Sequence, residues 1–295
     1  MSSAVYVLST LSDRVLSPLR TSTLPYLPLP ILSLLHATRI TLEYRRQLAA
    51  QGHQPPTAWL QGLIATCIMA LGGTTLASIL CGIPPPWVAS NTVLPAYALV
   101  YFLVFQFPSD RVFSLLNQYA FLIDPLLIGA DGVARSMAQC IGGVDMVRAH
   151  PLLGPEKYVA QIILGTLAGT GGGLLADAFV LSAPTWHFRL PTAFKSPTID
   201  LKTAFSVAVT YTILTSEELM QQLMYLMQLQ GKESVQVMGQ EEARVVCALL
   251  FSSALIYKRY GSSWSAFKLG SKTIAEKKEE SKLVVSQEQI SDKKE

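Results

Sequence analysis

The side chains of this chain that could act on a solute are few, and they sit in unusual company. Two glycine clusters, Gly72-Gly73 and Gly171-Gly172-Gly173, lie in the middle of long apolar runs, and Asp177 stands about a turn beyond the second. Glycine inside a helix costs about 1 kcal/mol relative to alanine. A helix weakened in this way within lipid exposes backbone that only water or neighbouring protein can satisfy. Small polar groups follow the first cluster at Thr74, Thr75 and Ser78. A carboxylate inside an apolar span costs about 2.5–3.5 kcal/mol on the mildest scales, so Asp177 is expected to face water or a cation, with Arg135 and Lys202 as candidate partners. The chemistry on offer is passage or binding of an ion, and Asp177 would either attract cations or lie near the cytoplasmic interface and be solvated.

Catalytic constellations are missing from the sequence. The four histidines, His36, His53, His150 and His187, stand apart, and no HExxH, GxSxG or P-loop pattern occurs. The four cysteines show no CxxC and no metal-ligand spacing, so no enzyme activity, metal or cofactor is expected. No basic stripe interleaved with aromatics appears, which excludes nucleic acid as a partner.

The elements that carry these residues are apolar helices. Only 15% of the 295 residues are charged and 50% are hydrophobic, and residues 56–108 contain no Lys, Arg, Asp or Glu. A soluble domain carries about 25% charged residues, whereas helices in a bilayer need about 20 mostly apolar residues each. The runs at 59–83 and 158–182 meet that length, and shorter ones lie at 24–42, 92–107, 203–215 and 245–257. The stretch 121–147 carries Asp124, Asp131, Arg135 and Asp145 and reads as a span facing a protein interior or, alternatively, as a surface amphipathic helix. Prolines 25, 28 and 30 place the first helix start near Ile31, and 44–56 reads as a loop. The Met-rich amphipathic stretch 219–229 would extend the sixth helix. The end from Gly261 is polar, with one helix expected near 271–286. Basic residues at 45, 46, 111, 189, 195, 258, 259 and 268 fall on one side of a seven-span chain, which puts the C-terminus in the cytoplasm.

The two glycine clusters belong to a repeat. Gly72 to Trp87 and Gly171 to Trp186 align without a gap, sharing two glycines, a Leu, an Ala, a Pro and the closing Trp. The offset, 171 − 72 = 99 residues, is three spans, and an odd number of spans reverses direction. The expected fold is therefore an all-α membrane protein with seven transmembrane helices, as two inverted three-helix repeats plus a seventh helix. Its parts are an N-terminal segment (1–23), a first repeat (24–118), a second repeat (119–224), a linker and seventh helix (225–260) and a charged tail (261–295). Matching glycines in the second and fifth helices make Gly72, Gly73, Thr74, Ser78, Gly171, Gly172, Gly173 and Asp177 the expected lining of a pore. Close helix packing through small residues is the competing reading, most evenly balanced at Gly165 and Gly169.

In this order and spacing the residues resemble the trimeric intracellular cation channel family. The resemblance rests on Trp59, Gly72-Gly73 with Leu76-Ala77, Gly82-Ile83-Pro84, Pro108-Ser109-Asp110, Val133-Ala134-Arg135 with Gly142, Gly165, Gly169, Gly171-Gly172 and Lys202. It implies a homotrimer with one pore per protomer and conduction of monovalent cations, chiefly potassium. It also implies a place in the endoplasmic reticulum or nuclear envelope and counter-ion flux for calcium release. Arg135 and Lys202 would then be gating or pore-charge residues, and membrane lipids and the chain's own copies its partners. The family's fourth span usually opens Lys-Glu-Val-x-Arg and binds an inositol lipid. Here Asp131 and Gly132 replace the lysine and the acid, and an aspartate repels an anionic head group. A small-solute transporter on the same repeats and a non-conducting scaffold docking through the tail are the other functions the sequence allows.

Overall fold

The computed structural model describes residues 3–52, 58–227 and 237–261. The expected tail helix near 271–286 and most of the tail lie outside them. Two compact units divide the chain, Met1–Leu255 and Ile256–Glu295. In the second, residues 256–261 are helical. All that follows concerns the first.

The N-terminal segment folds as α1 (Ser3–Leu11), a π-helical turn (Ser12–Leu16) and α2 (Ser17–Thr21). Prolines 25, 28 and 30 then prevent a helix. The chain instead makes a small antiparallel ribbon, β1 (Thr23–Leu24) with β2 (Leu27–Pro30), the one departure from an all-α fold among the described residues. The helix α3 (Ile31–Ala50) starts where the last proline releases the backbone. It continues to Ala50, through residues expected as loop, because Tyr44, Arg45 and Leu48 turn inward and are buried.

Two helices are long and apolar enough to cross a membrane alone, α4 (Trp59–Leu80) and α9 (Tyr158–Ala178). The third expected span is α5 (Val93–Phe105), bent by 82° into a helical stretch that includes α6 (Arg111–Gln118). The charged stretch forms α7 (Ala120–Gln139), a π-helical turn (Cys140–Asp145) and α8 (Met146–Ala149). A single-turn α10 (Thr192–Lys195) precedes α11 (Ile199–Leu214), whose N-cap Thr198 accepts a hydrogen bond from the Leu201 amide. The Met-rich segment does not extend α11. It breaks at Thr215 and Ser216 and restarts as α12 (Glu217–Leu226). Residues 240–255 are helical as well.

The packing centres on α4 against α9, with α3 set between α5 and α7, and α11 on the other side of α9. The pair α4 and α9 runs antiparallel. Ala77, late in α4, and Cys81, just beyond its end, cluster with Leu164 and Ala168, early and midway in α9. Gln61, early in α4, donates to the Pro184 carbonyl beyond the end of α9. An aromatic core of Tyr44, Tyr97, Tyr101 and Phe105 joins α3 to α5.

Polarity is distributed opposite to that of a water-soluble domain. The outward faces carry Leu60 and Ile64 of α4, Phe102 and Leu103 of α5, Leu122 and Leu126 of α7 and Val159 and Ile163 of α9, all exposed. The buried set includes His36, Thr41, Arg45, Thr66, Ser78, Asp124, Asp131, Gln139, Gln161, Thr212 and Arg244. Apolar outside and ionisable inside is the arrangement a bilayer selects.

Candidate functional site

The glycines sit where α4 and α9 cross, and both helices continue through them without a break. This corrects the expectation of broken helices. Each of Gly72, Gly73, Gly171 and Gly172 stands where a side chain would collide with the opposite backbone, so the two helices approach closely while keeping their internal hydrogen bonds. A Cβ on Gly73 would stand 2.5 Å from the Ala168 carbonyl oxygen and 2.7 Å from that of Leu167. On Gly171 it would stand 2.8 Å from Gly73 Cα, and on Gly72 it would stand 3.2 Å from Gly172 Cα. On Gly172 it would run into the Met69 carbonyl oxygen.

The contacts are reciprocal at the repeat offset. Gly73 faces Leu167 and Ala168, while its repeat mate Gly172 faces Ile68 and Met69, the mates of that pair. Gly72 faces Leu175, and its mate Gly171 faces Leu76, the mate of Leu175. Contact of i with j matched by contact of j with i is the pattern of a two-fold axis, and here it passes between four glycines of one chain.

The other expected lining residues separate. Gly173 is exposed and meets nothing within 4 Å. Thr74 donates to the Leu71 carbonyl, and Ser78 is fully buried. Asp177 does not meet Arg135 or Lys202. Its carboxylate takes the Arg189 guanidinium, the Thr192 amide at 2.5 Å and the Thr192 hydroxyl at 2.6 Å, fastening the loop after α9. It lies in the last turn of α9, so the loop reaches it before any distant cation. Lys202 is exposed on the first turn of α11.

Arg135, by contrast, is half-buried and held between helices. Its Nε donates to the Gly169 carbonyl at 2.7 Å, and its terminal nitrogen stands 3.5 Å from Asp200 and 4.0 Å from Asp131. The guanidinium also lies over the Phe251 ring at 4.5 Å. Asp131 in turn lies 2.9 Å from Nδ1 of His36 on α3, and one turn on, Arg39 pairs with Glu43 at 2.7 Å. A further turn along α3, Arg46 donates to Asp124 at 3.0 Å and to Asn117 at 2.9 Å. Arg45 reaches the Val104 carbonyl and Asp110, stacking on Phe113 at 4.0 Å, which holds the bend between α5 and α6.

A second ionic group caps the opposite end of α7. Asp145, in the π-helical turn, accepts from Arg244 at 2.8 Å and Tyr211 at 2.9 Å, with Arg148 at 3.5 Å. Arg148 donates to Gln161, and Gln139 fills the space beside Gly169 and donates to the Ala204 carbonyl at 2.8 Å. The stretch carrying Asp124, Asp131, Arg135 and Asp145 thus faces the interior rather than the surface. No local pattern signals the His36–Asp131 contact, which joins two helices. The spacing of Asp131 to Arg135 and of Asp145 to Arg148, each on one helix face, was its only visible half. No group of three or more metal-ligating side chains occurs among the described residues.

Residues 46–230 match the profile of the TRIC channel family. The chain is 27% identical over 166 residues to the trimeric intracellular cation channel type 1B.2 of Caenorhabditis elegans, covering 54% of this chain and 48% of that one. It is 26% identical over 162 residues to the type B-A channel of Xenopus laevis, covering 53% of each. The chain therefore spans about half the length of the curated relatives it matches. Its backbone is similar to a structure described as explaining the activity of TRIC counter-ion channels in calcium release, with a TM-score of 0.58 at 18% identity, covering 84% of this chain and 99% of that one. The Ca2+-free trimeric intracellular cation channel from C. elegans gives 0.57 at 19% identity, covering 85% and 96%.

Proposed function

This chain belongs to the TRIC channel family, a family of membrane ion channels, and from that premise we propose that it conducts monovalent cations, chiefly potassium, through a passage inside each protomer of a homotrimer. One observation carries the reading: ionised side chains, Asp131, Arg135 and Asp200, are gathered with His36 in the interior of a bundle whose outer faces are apolar. Intramembrane charges of this kind mark ion pathways. Thr41, Ser78, Gln139 and Thr212 add buried side-chain oxygens without a protein partner among the described residues, groups that water or a passing cation satisfies.

In this reading seven spans form two inverted repeats and a seventh helix, and the antiparallel glycine crossing is the pivot between them. The reciprocal contacts at Gly72, Gly73, Gly171 and Gly172 support that layout. The passage runs beside the crossing, past Thr74 and Ser78, with Arg135 as the charge that sets its field and Lys202 at a mouth. The C-terminus faces the cytoplasm. The channel works in the endoplasmic reticulum or nuclear envelope, supplying counter-ions when calcium is released. An inositol-lipid site at Asp131 of α7 forms no part of the reading, because Asp131 turns inward to His36.

Purified protein in a planar bilayer under a potassium chloride gradient tests the proposal. Unitary currents reversing near the potassium equilibrium potential are expected. A silent bilayer from folded trimer, or reversal at the chloride potential, overturns it.

A further inference from the structure

The π-helical turn that follows α7 holds a second set of guanidiniums, apart from Arg135. It packs against both crossing helices. A Cβ on Gly142 would meet the Thr74 methyl at 3.5 Å, and one on Gly143 would stand 2.5 Å from Gly165 Cα. That backbone contact fixes how far the turn stands from α9. Turns of this kind are rare within helices and frequent at functional sites. Asp145 closes it, with a side chain only 19% exposed. Its Oδ2 accepts from Arg244 of the helix at 240–255, at 2.8 Å, and from the Tyr211 hydroxyl of α11, at 2.9 Å. Its Oδ1 lies 3.5 Å from Arg148. Arg148 stands over the Tyr211 ring and donates to the Gln161 side chain and the Thr212 carbonyl. Arg244 also binds Glu241, whose other oxygen takes Arg20 at 3.3 Å. Glu241 is exposed, so Asp145 is the inner of the two carboxylates on these guanidiniums.

We propose that Asp145 is a specificity-determining residue, which keeps the pore selective for cations over anions by holding Arg148 and Arg244. The inference rests on the reading of the chain as a cation channel whose passage runs past Thr74 and Ser78. Two contacts bring Asp145 to that stretch. Its turn lies against Thr74, and its partner Arg148 bonds the backbone of Thr212, whose buried hydroxyl, like that of Ser78, has no protein partner among the described residues. Without the carboxylate, Arg148 and Arg244 would meet a passing ion with their positive charge uncovered. The sign follows from charge: potassium is repelled and chloride is drawn in. One unit charge within about 10 Å of the ion, in a partly wet interior, acts on the two ions in opposite senses. The ratio of their entry therefore changes on the order of tenfold.

The test reads reversal potentials of purified full-length protein in planar bilayers under a potassium chloride gradient. Asp145→Asn keeps the size and one acceptor oxygen but not the charge. It should lower the potassium-to-chloride permeability ratio on the order of tenfold. Asp145→Glu, which keeps the charge, should hold the ratio near the wild-type value. Arg148→Gln should raise it, and Asp145→Asn with Arg148→Gln should return it toward wild type. A merely structural Asp145 would change yield or current size and leave the ratio alone. A ratio unmoved in D145N, or moved equally in D145E, therefore overturns the inference while leaving the channel reading in place. If D145N does not assemble, Arg148→Gln decides the matter: a raised ratio supports the role of Asp145, and an unchanged or lowered one refutes it. Wild type that passes no current, or reverses at the chloride potential, overturns both.

Discussion

Gly73→Ala and Gly172→Ala should damage the protein, and Gly173→Ala should not, though all three replace a mid-helix glycine with a better helix former. At Gly73 the new methyl falls 2.5 Å and 2.7 Å from two carbonyl oxygens of α9. Ordinary carbon–oxygen contact needs about 3.3 Å, so α4 and α9 must part by roughly 0.6–0.8 Å over their closest turn. The obstacle is backbone, which has no rotamer to escape into. Overpacking of this kind costs about 1–3 kcal/mol, offset by about 1 kcal/mol of helix propensity. A net loss of up to about 2 kcal/mol is expected. Gly172→Ala meets the mirrored obstacle at Met69 and should cost about the same. Gly173 meets nothing within 4 Å, so its alanine gains the propensity alone, about 1 kcal/mol. The double variant is more telling. Once one methyl has separated the helices the second finds room, so the pair should cost clearly less than the two added together. Thermal unfolding of detergent-purified protein, followed by loss of the folded peak in size exclusion, reads all four proteins. Equal stability of Gly172→Ala and Gly173→Ala would refute the close crossing, and strict additivity would refute the shared axis.

Three further outcomes follow from the ionic interior. Arg135→Gln removes the guanidinium that stands between Asp131 and Asp200. Breaking a buried pair costs about 3–5 kcal/mol, so the yield of folded protein should drop, and the surviving fraction should pass potassium faster than wild type. Unchanged yield and flux would remove Arg135 from the passage. Asp124→Ala strands the Arg46 guanidinium, now within 3.0 Å of that carboxylate, and should lower stability by a similar amount, with Asp124→Ala/Arg46→Met recovering part of it. Unfolding midpoints of the single and double variants settle this. Asp177→Asn should keep potassium flux within about twofold of wild type, since the lost charge serves a loop, and half-exposed pairs contribute little over distance. Its loop at 183–197 should become easier to cleave by added protease. A collapse of flux with an intact loop would return Asp177 to the cation path.

The sequence made the apolar helices, the duplicated glycines and the inward-facing charged stretch visible, because each is a local pattern with a short period. Trp59 to Leu80 is apolar all round, and that alone marks a span. The glycines were visible as a pair of matching clusters, yet their meaning was not. A gap in side-chain volume reads the same whether a helix opens there or another helix fills it, and only the partner's carbonyls at Ala168 and Met69 distinguish the two. Asp177 was misplaced for a related reason. Its partners, Arg189 and Thr192, lie in a loop whose path back over α9 leaves no periodic trace. The contact of His36 with Asp131 joins helices far apart in sequence, and a lone histidine on an apolar helix gives no sign of such a partner.

The glycine crossing and the charged interior depend on one another physically. Lipid tails are as apolar as leucine, so burying apolar faces does little to hold spans together. Association must come from close packing at small residues and from polar contacts between helices. The four glycines provide the first where α4 meets α9, and Gly143 against Gly165 and Gly132 against Ser252 provide it elsewhere. Between α3, α7 and α11 the space is taken by larger side chains. Filling that space with leucine and phenylalanine would make a stable, sealed bundle. The chain fills it instead with Arg135, Asp131, His36 and Gln139, each held by partners from a neighbouring helix. Such pairs add little net stability over apolar packing, so stability does not explain their presence. Charges that can exchange partners while the glycine crossing holds the frame do explain it. Cation flux should therefore be sensitive to Arg135 in variants that leave the α4–α9 crossing, and with it the folded protein, intact.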